Sequence, residues 1–180
     1  FIIVSDRKND ALPARGFTTD KARKYIVNGD WKVYFDPRWG GPGEMVFTQL
    51  TDWSKKKEPG IVYYSGTAVY KKNIHIDKKE KDKQILLSFD QLGSLARIYL
   101  NGHDVSTLWR SPWETDLTRW AVEGENSLEI HVVNSLMNRM IGDASLPQNE
   151  RFTYAYPTIA TSKDTLVPSG IIGNVYLVVR

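Results

Sequence analysis

The chain of 180 residues contains no cysteine. That absence removes disulfides, thiolate nucleophiles and cysteine-based zinc sites together. It leaves the compartment open, because a bacterial periplasmic protein can do without disulfides. Histidine is scarce, with three residues, and they are dispersed at His75, His103 and His131. No apolar run approaches the ~20 residues of a membrane-spanning helix, so no membrane partner is expected. No basic-then-apolar leader opens the chain, and its first residue is Phe1 rather than Met. Phe1-Ile2-Ile3-Val4 reads as the last strand of something upstream. The sequence is therefore expected to be an excised or mature piece of a longer protein, with any targeting signal missing by construction. Three chemical signatures are also missing. There is no Gly-x-Ser-x-Gly nucleophile elbow, no phosphate loop leading through Lys-Ser/Thr into a helix, and no Asp-x-Asp-x-Asp-Gly calcium loop.

A strong excess of one charge is lacking too. The 24 basic and 21 acidic residues leave a net charge of +3. The lysines sit in mixed runs such as Lys55-Lys56-Lys57-Glu58 and Lys78-Lys79-Glu80-Lys81-Asp82-Lys83. Such runs are solvated turns more often than binding faces. No aromatic ladder interleaves with them, so no nucleic-acid partner is expected.

What is present is alternation. Trp31, Val33 and Phe35 form one period-two set. Ile85, Leu87 and Phe89 form another, followed by Ala96, Ile98 and Leu100. Leu128, Ile130 and Val132 continue it, with Glu129 and His131 pointing the other way, and Val175, Leu177 and Val179 close the chain. No stretch of eleven or more residues carries a helical stripe. Many short strands separated by turns predict an all-β sandwich or barrel. Asn101-Gly102 is a strong two-residue hairpin signal, since both positions need positive φ. Glu123-Gly124-Glu125-Asn126 reads as a second turn. Arg38-Trp39-Gly40-Gly41-Pro42-Gly43 is a long, aromatic, glycine-rich loop. Residues 137 to 170 show little alternation apart from a short piece near Phe152 to Tyr156. A loop of that length is usually functional or packs on a neighbour. It is expected to lie ordered across the sandwich, burying Tyr154, Tyr156 and Ile159. Residues 1–27 read as a lead-in segment or linker, and residues 28–180 as one β-sandwich domain.

At these residues the chain resembles known proteins. Trp31-Lys32-Val33-Tyr34-Phe35-Asp36-Pro37-Arg38-Trp39-Gly40-Gly41-Pro42 is similar to the opening of the β-sandwich domain near the C-terminus of bacterial α-L-rhamnosidases. Leu50-Thr51-Asp52-Trp53-Ser54, Tyr64-Ser65-Gly66-Thr67-Ala68, Asn138-Arg139-Met140-Ile141-Gly142-Asp143 and Pro168-Ser169-Gly170-Ile171-Ile172-Gly173 match it in order. A looser resemblance extends to the sugar-binding sandwich of the family-two β-glycosidases. The resemblance implies a galactose-binding-domain-like jelly roll. It also implies a parent glycoside hydrolase, exported to the periplasm or beyond, whose catalytic carboxylates lie in a separate barrel domain.

Glycoside hydrolysis needs two carboxyl groups roughly 5–9.5 Å apart across the scissile bond. Asp36, Asp52, Asp104, Asp116, Asp143 and Glu150 are available, yet none lies in a motif that specifies such a pair. No catalytic residue, metal ligand or cofactor is therefore assigned, and a structural calcium ion held by backbone carbonyls stays open. Sugars stack their apolar face on aromatic rings and hydrogen-bond planar polar groups. Trp39, Trp53, Trp109 and Trp113 lie in or beside loops and are candidate platforms, or else they pack the sandwich edges. Arg139 and Asp143 are a candidate polar clamp on hydroxyls, or else a salt bridge pinning the long loop. The expected role is a non-catalytic accessory domain that packs on the parent's catalytic domain and contacts oligo- or polysaccharide. The alternative is an independent carbohydrate-binding module.

Overall fold

The computed structural model describes residues 22–80, 83–154 and 160–180. Among them, ten strands pair into two antiparallel sheets. The strands are β1 (Arg23–Ile26), β2 (Trp31–Phe35), β3 (Gly43–Phe47), β4 (Thr67–Ile76) and β5 (Ile85–Leu92). They continue with β6 (Leu95–Leu100), β7 (His103–Leu108), β8 (Glu114–Asp116), β9 (Gly124–Val133) and β10 (Ile171–Val179). One sheet runs β1-β10-β5-β8 and the other β3-β2-β4-β9-β6-β7. The fold is the expected all-β sandwich of jelly-roll type. Two short helices, α1 (Pro59–Val62) and α2 (Met137–Asp143), lie in the connections.

The period-two sets of the sequence are the inner faces. Trp31, Val33 and Phe35 are buried, while Lys32 and Tyr34 between them are exposed. Ile98, Leu100, Leu128, Ile130 and Val132 meet Leu87, Phe89 and Val175 in one core. An aromatic cluster anchors it. Phe35 meets Trp53 and Tyr64 edge-on, with ring centroids 5.2 and 5.0 Å apart. Each such contact adds about 0.5–1.5 kcal/mol beyond the area it buries. Trp53 lies parallel to Tyr70 and donates its indole N–H to the Tyr70 hydroxyl at 2.7 Å.

The hairpin forms where Asn101-Gly102 predicts it. Leu100 pairs with His103, and the two turn residues have φ of 51° and 80°. Asn101 also uses its side chain, accepting from Ser127 N and donating to Asn126 Oδ1 and Trp120 O. The second expected turn differs. β9 already begins at Gly124, and the buried Asn126 closes the preceding loop by bonding the N–H and C=O of Val122.

Two expectations are corrected. β1 pairs along β10 from Arg23 to Ile26, so these residues belong to the sandwich and the domain begins before residue 28. Residues 1–21 lie outside the described residues. Within residues 137–170, α2 forms without an apolar stripe because Asn138, Arg139 and Asp143 are among its buried residues. Burying polar side chains erases the hydrophobic period by which a helix is read. Tyr154 is 83% exposed rather than packed, and Tyr156 and Ile159 lie outside the described residues.

Nothing approaches the space a Cβ would occupy at Gly102. A side chain there costs only backbone strain, about 1–2 kcal/mol for an L-residue held in the left-handed region. Gly102→Val should lower the urea midpoint by that amount of stability with an unchanged m-value. An unshifted midpoint would mean that this turn carries no such strain.

Candidate functional site

The chain leaves β9 through a buried polar hub centred on Ser169. Its hydroxyl donates to Val167 O at 2.8 Å and accepts from the amides of Asn134 and Asn138, each at 2.9 Å. A hydroxyl has one donor and two acceptor lone pairs, so all three are used. The Ser169 N–H donates to Asp52 Oδ1, and the Ser169 carbonyl accepts from Trp53 N. Asn134 donates also to Tyr64 O, and Asn138 pairs with both backbone groups of Val167. Asp52 also caps the turn at Ser54. The hub thus joins residues 52–54, 64, 134–138 and 167–169. Gly170 follows with φ of 87°, and a Cβ on it would lie 2.3 Å from the Trp53 indole nitrogen.

From this hub α2 carries Arg139 and Asp143 toward the loop after β2. Arg139 Nη2 donates to Trp39 O at 3.1 Å, and the guanidinium lies 4.5 Å over the Phe152 ring. Burial draws the Arg139 pKa below its ordinary value, with the Asp143 carboxylate opposing. Asp143 sits one turn on, 3.8 Å from Arg139. Its Oδ2 accepts from the Thr153 N–H and hydroxyl, both at 2.8 Å, and its Oδ1 is buried without a hydrogen-bond partner among the described residues. Both charges face inward. They tie the loop at Trp39 and the chain at Thr153 to α2, and they present no open clamp to a sugar.

The tryptophans separate. Trp53 is fully buried in the aromatic cluster and has no face for a ligand; its place beside a loop concealed a core role. Trp39 is 48% exposed, above the Arg139 tether. Trp109 is 68% exposed, with Arg110 alongside its ring. Trp113 is half-buried against the core. Trp109 and Trp113 lie between β7 and β8, the edge strands on the side away from Trp39. The structure therefore joins Trp39, Arg139 and Asp143 and separates them from Trp109 and Trp113.

The acids have structural tasks. Asp36 binds Arg38 through side chain and backbone, which holds its carboxyl below the usual range. Arg97 does the same for Asp104. Asp116 caps Thr118 and accepts from Gln84. Glu150 lies in a single turn at Gln148–Glu150. The histidines pair locally, His75 with Glu125 and His131 with Glu129, while His103 stacks on Trp120. Among the described residues, no three His, Cys, Asp or Glu side chains gather as a metal site.

A groove of about 360 Å³ opens at the sandwich edge, where β1 and β3 are the edge strands. It is lined by residues 26–29, Trp31, residues 48–51 and residues 173–175. Sequence reasoning missed it, because its polar residues come from two connections and the start of β10 and form no motif.

The hub gives a direct expectation. Ser169→Ala leaves one N–H on each of Asn134 and Asn138 buried without its partner. At about 1–3 kcal/mol per unsatisfied group, the loss should reach roughly 2–6 kcal/mol in chemical denaturation. A loss below that of an ordinary surface substitution, about 0.5 kcal/mol, would show that the hub is not a stabilising centre.

The model of the family "Glycosyl hydrolases family 2, sugar binding domain" matches residues 5–180. A Formosa agariphila protein whose name assigns it provisionally as a β-glucuronidase is 36% identical over 144 residues, covering 79% of this chain. The chain spans only 12% of that protein's length. Among solved structures, a rhamnosidase from Novosphingobium sp. PP1Y superposes with a TM-score of 0.84 at 30% identity, over 98% of this chain and 16% of that one. The Ruminococcus gnavus β-glucuronidase shares the fold, with a TM-score of 0.63 at 20% identity over 88% of this chain and 28% of its own. The order of the two resemblances is thereby reversed. The family-two sandwich is the supported one, and the matches do not support placement at the C-terminus of a rhamnosidase. The residues that suggested it, Tyr64, Ser169 and Gly170 among them, are those that the hub and Trp53 require, so they report the fold rather than the enzyme that carries it. The chain belongs to glycosyl hydrolase family 2, as its sugar-binding domain rather than its catalytic one.

Proposed function

We propose that this chain is a non-catalytic accessory domain of a larger glycoside hydrolase, and that its α2 end packs against the catalytic domain. The observation that carries the reading is the apolar surface at that end. Trp39, Val133, Leu136, Phe152, Tyr154 and Val167 are exposed and all flank α2 or are tied to it. Exposed apolar side chains gathered in one place mark interaction surfaces. Here they stand on backbone held by buried hydrogen bonds, so the surface is formed before any partner arrives. The small share of its relatives' length that this chain spans agrees with a partner in the same polypeptide.

The parent is proposed to act on a rhamnoside. The 30% identity and near-complete superposition with the Novosphingobium rhamnosidase support this. A β-glucuronide is the second reading, supported by the name of the Formosa relative. Assay of the parent protein on aryl α-L-rhamnosides and aryl β-D-glucuronides separates the two.

The isolated chain should turn over neither substrate. Hydrolysis that survives repurification and disappears on mutating one acid would end the accessory reading. In the parent, Leu136→Asp with Tyr154→Asp should uncouple the sandwich and give it a separate, earlier calorimetric transition. Both side chains are exposed, so the isolated chain's melting should shift only by about 1–2 °C. A parent transition unmoved by the pair would place the packing surface elsewhere.

A further inference from the structure

We propose that the groove at the sandwich edge is a binding site for a neutral sugar residue. The proposal rests on residues other than those of the α2 end and does not depend on the packing reading.

The walls of the groove are fastened to one another. Val27 N donates to Val175 O at 2.8 Å, and Gly173 N donates to Leu50 O at 3.2 Å. These bonds join the β1–β2 connection and the chain after β3 to the start of β10. β10 opens there because its pairing with β5 breaks register between Ile172 and Val175. The volume of about 360 Å³ falls at the lower end of the range for small-molecule sites, about 300–1,000 Å³.

The lining selects the ligand. A quarter of the chain is charged, yet none of the twelve lining residues is ionisable. The neighbouring groove, which shares residues 26–28, carries Lys72, His75, Asp77 and Glu80. The nearest charges stand behind the lining and are already engaged: Lys72 Nζ, 3.2 Å from where a Cβ on Gly29 would sit, donates to Asp30 O, and Asp90 Oδ2 accepts from Asn174. A carboxylate or phosphate entering the first groove would lose water with no cation in the lining itself to replace it, which is unfavourable; a neutral polyhydroxyl ligand needs none.

The polar groups suit such a ligand. The side chains of Asn28, Thr48, Gln49 and Thr51 make no hydrogen bond within the described residues. Each primary amide presents a donor and an acceptor in one plane. That arrangement matches two adjacent sugar hydroxyls, each of which also donates and accepts. Asn174 is already oriented. Its backbone N–H and its side-chain amide both donate to Asp90 Oδ2, at 2.8 and 3.1 Å. An ionised carboxylate accepts only, so the Asn174 side chain keeps its carbonyl oxygen and one N–H to offer. Ile26, Val27, Leu50 and Val175 supply apolar surface for the C–H face of a pyranose.

The test is a titration of the ¹⁵N-labelled 180-residue chain with methyl α-L-rhamnoside, methyl β-D-galactoside, methyl β-D-glucoside and glucuronate. A neutral glycoside should shift the amides of Gly29, Gln49, Thr51 and Gly173 saturably, with a Kd near about 1 mM. With a neutral ligand and no ionisable residue in the lining, that affinity should hold between about 0.05 and about 0.5 M NaCl. Glucuronate should bind more weakly than the best neutral glycoside. Asn28→Ala with Gln49→Ala should weaken binding by about tenfold through two lost hydrogen bonds. The melting temperature should not move, because both side chains are exposed. The proposal is overturned if no neutral glycoside shifts these amides, if shifts appear only at the Trp39 or Trp109 indoles, or if glucuronate binds equally well. None of these outcomes bears on the packing reading, which the calorimetry of the parent decides separately.

Discussion

The structure depends on a serine hydroxyl with no free valence. Ser169 sits where the returning chain meets the ends of β9 and of the loop carrying Trp53, and all its polar groups are bonded inside the protein. Asn134 Oδ1 is buried without a partner among the described residues, but the amide donors of Asn134 and Asn138 are bonded to the serine and to backbone carbonyls; in a low-dielectric interior such a network holds its parts in one arrangement, because any shift strands a buried donor. The apolar core between the sheets would tolerate sliding of similar side chains far better. Ser169 therefore sets position, while the core supplies most of the driving force.

Position matters because of what hangs from it. Asn134 and Asn138 fix the start of α2, α2 fixes Arg139, and Arg139 fixes the loop at Trp39. The chain of contacts converts a long excursion between β9 and β10 into formed surface. The same serine, through Asp52, holds the segment after β3 near the point where Gly173 bonds Leu50. One buried group thus braces both the α2 end and one wall of the edge groove. A lesion at the hub would disturb both, and for that reason the sites are probed through exposed residues that leave the hub intact.

The sheets were legible in the sequence because half-buried strands repeat at period two, and one residue of error flips the whole face. Trp31, Val33 and Phe35 could hardly be arranged otherwise. The Asn101-Gly102 turn was legible for an equally local reason, since few residues tolerate two successive positive φ values. β1 was not legible. Its residues Arg-Lys-Tyr-Ile are all exposed, so no alternation marks the strand, and its pairing is set by β10, 150 residues or more away. α2 was illegible because, Ile141 apart, its buried side chains are polar. Their partners, at Trp39, Thr153 and Val167, are distant in sequence. For the same reason the sequence left Trp53 open between a platform and edge packing. Its contacts with Phe35 and Tyr64, the Tyr70 hydroxyl and the close approach of Gly170 reveal it as core.

This division explains why motif resemblance identified the architecture sooner than the enzyme. The recognisable runs, from Asp52-Trp53 to Ser169-Gly170, are residues whose partners are other parts of the same domain. Any sandwich with this hub must keep them, whichever glycoside its parent cleaves, and a fold shared in this way does not carry function with it. Residues that would meet a ligand are under no such internal demand. The side chains of Asn28, Thr48, Gln49 and Thr51 make no hydrogen bond within the described residues, so folding alone does not require them. What distinguishes this domain chemically is therefore to be sought among its unengaged polar side chains, at positions where no motif exists to be recognised.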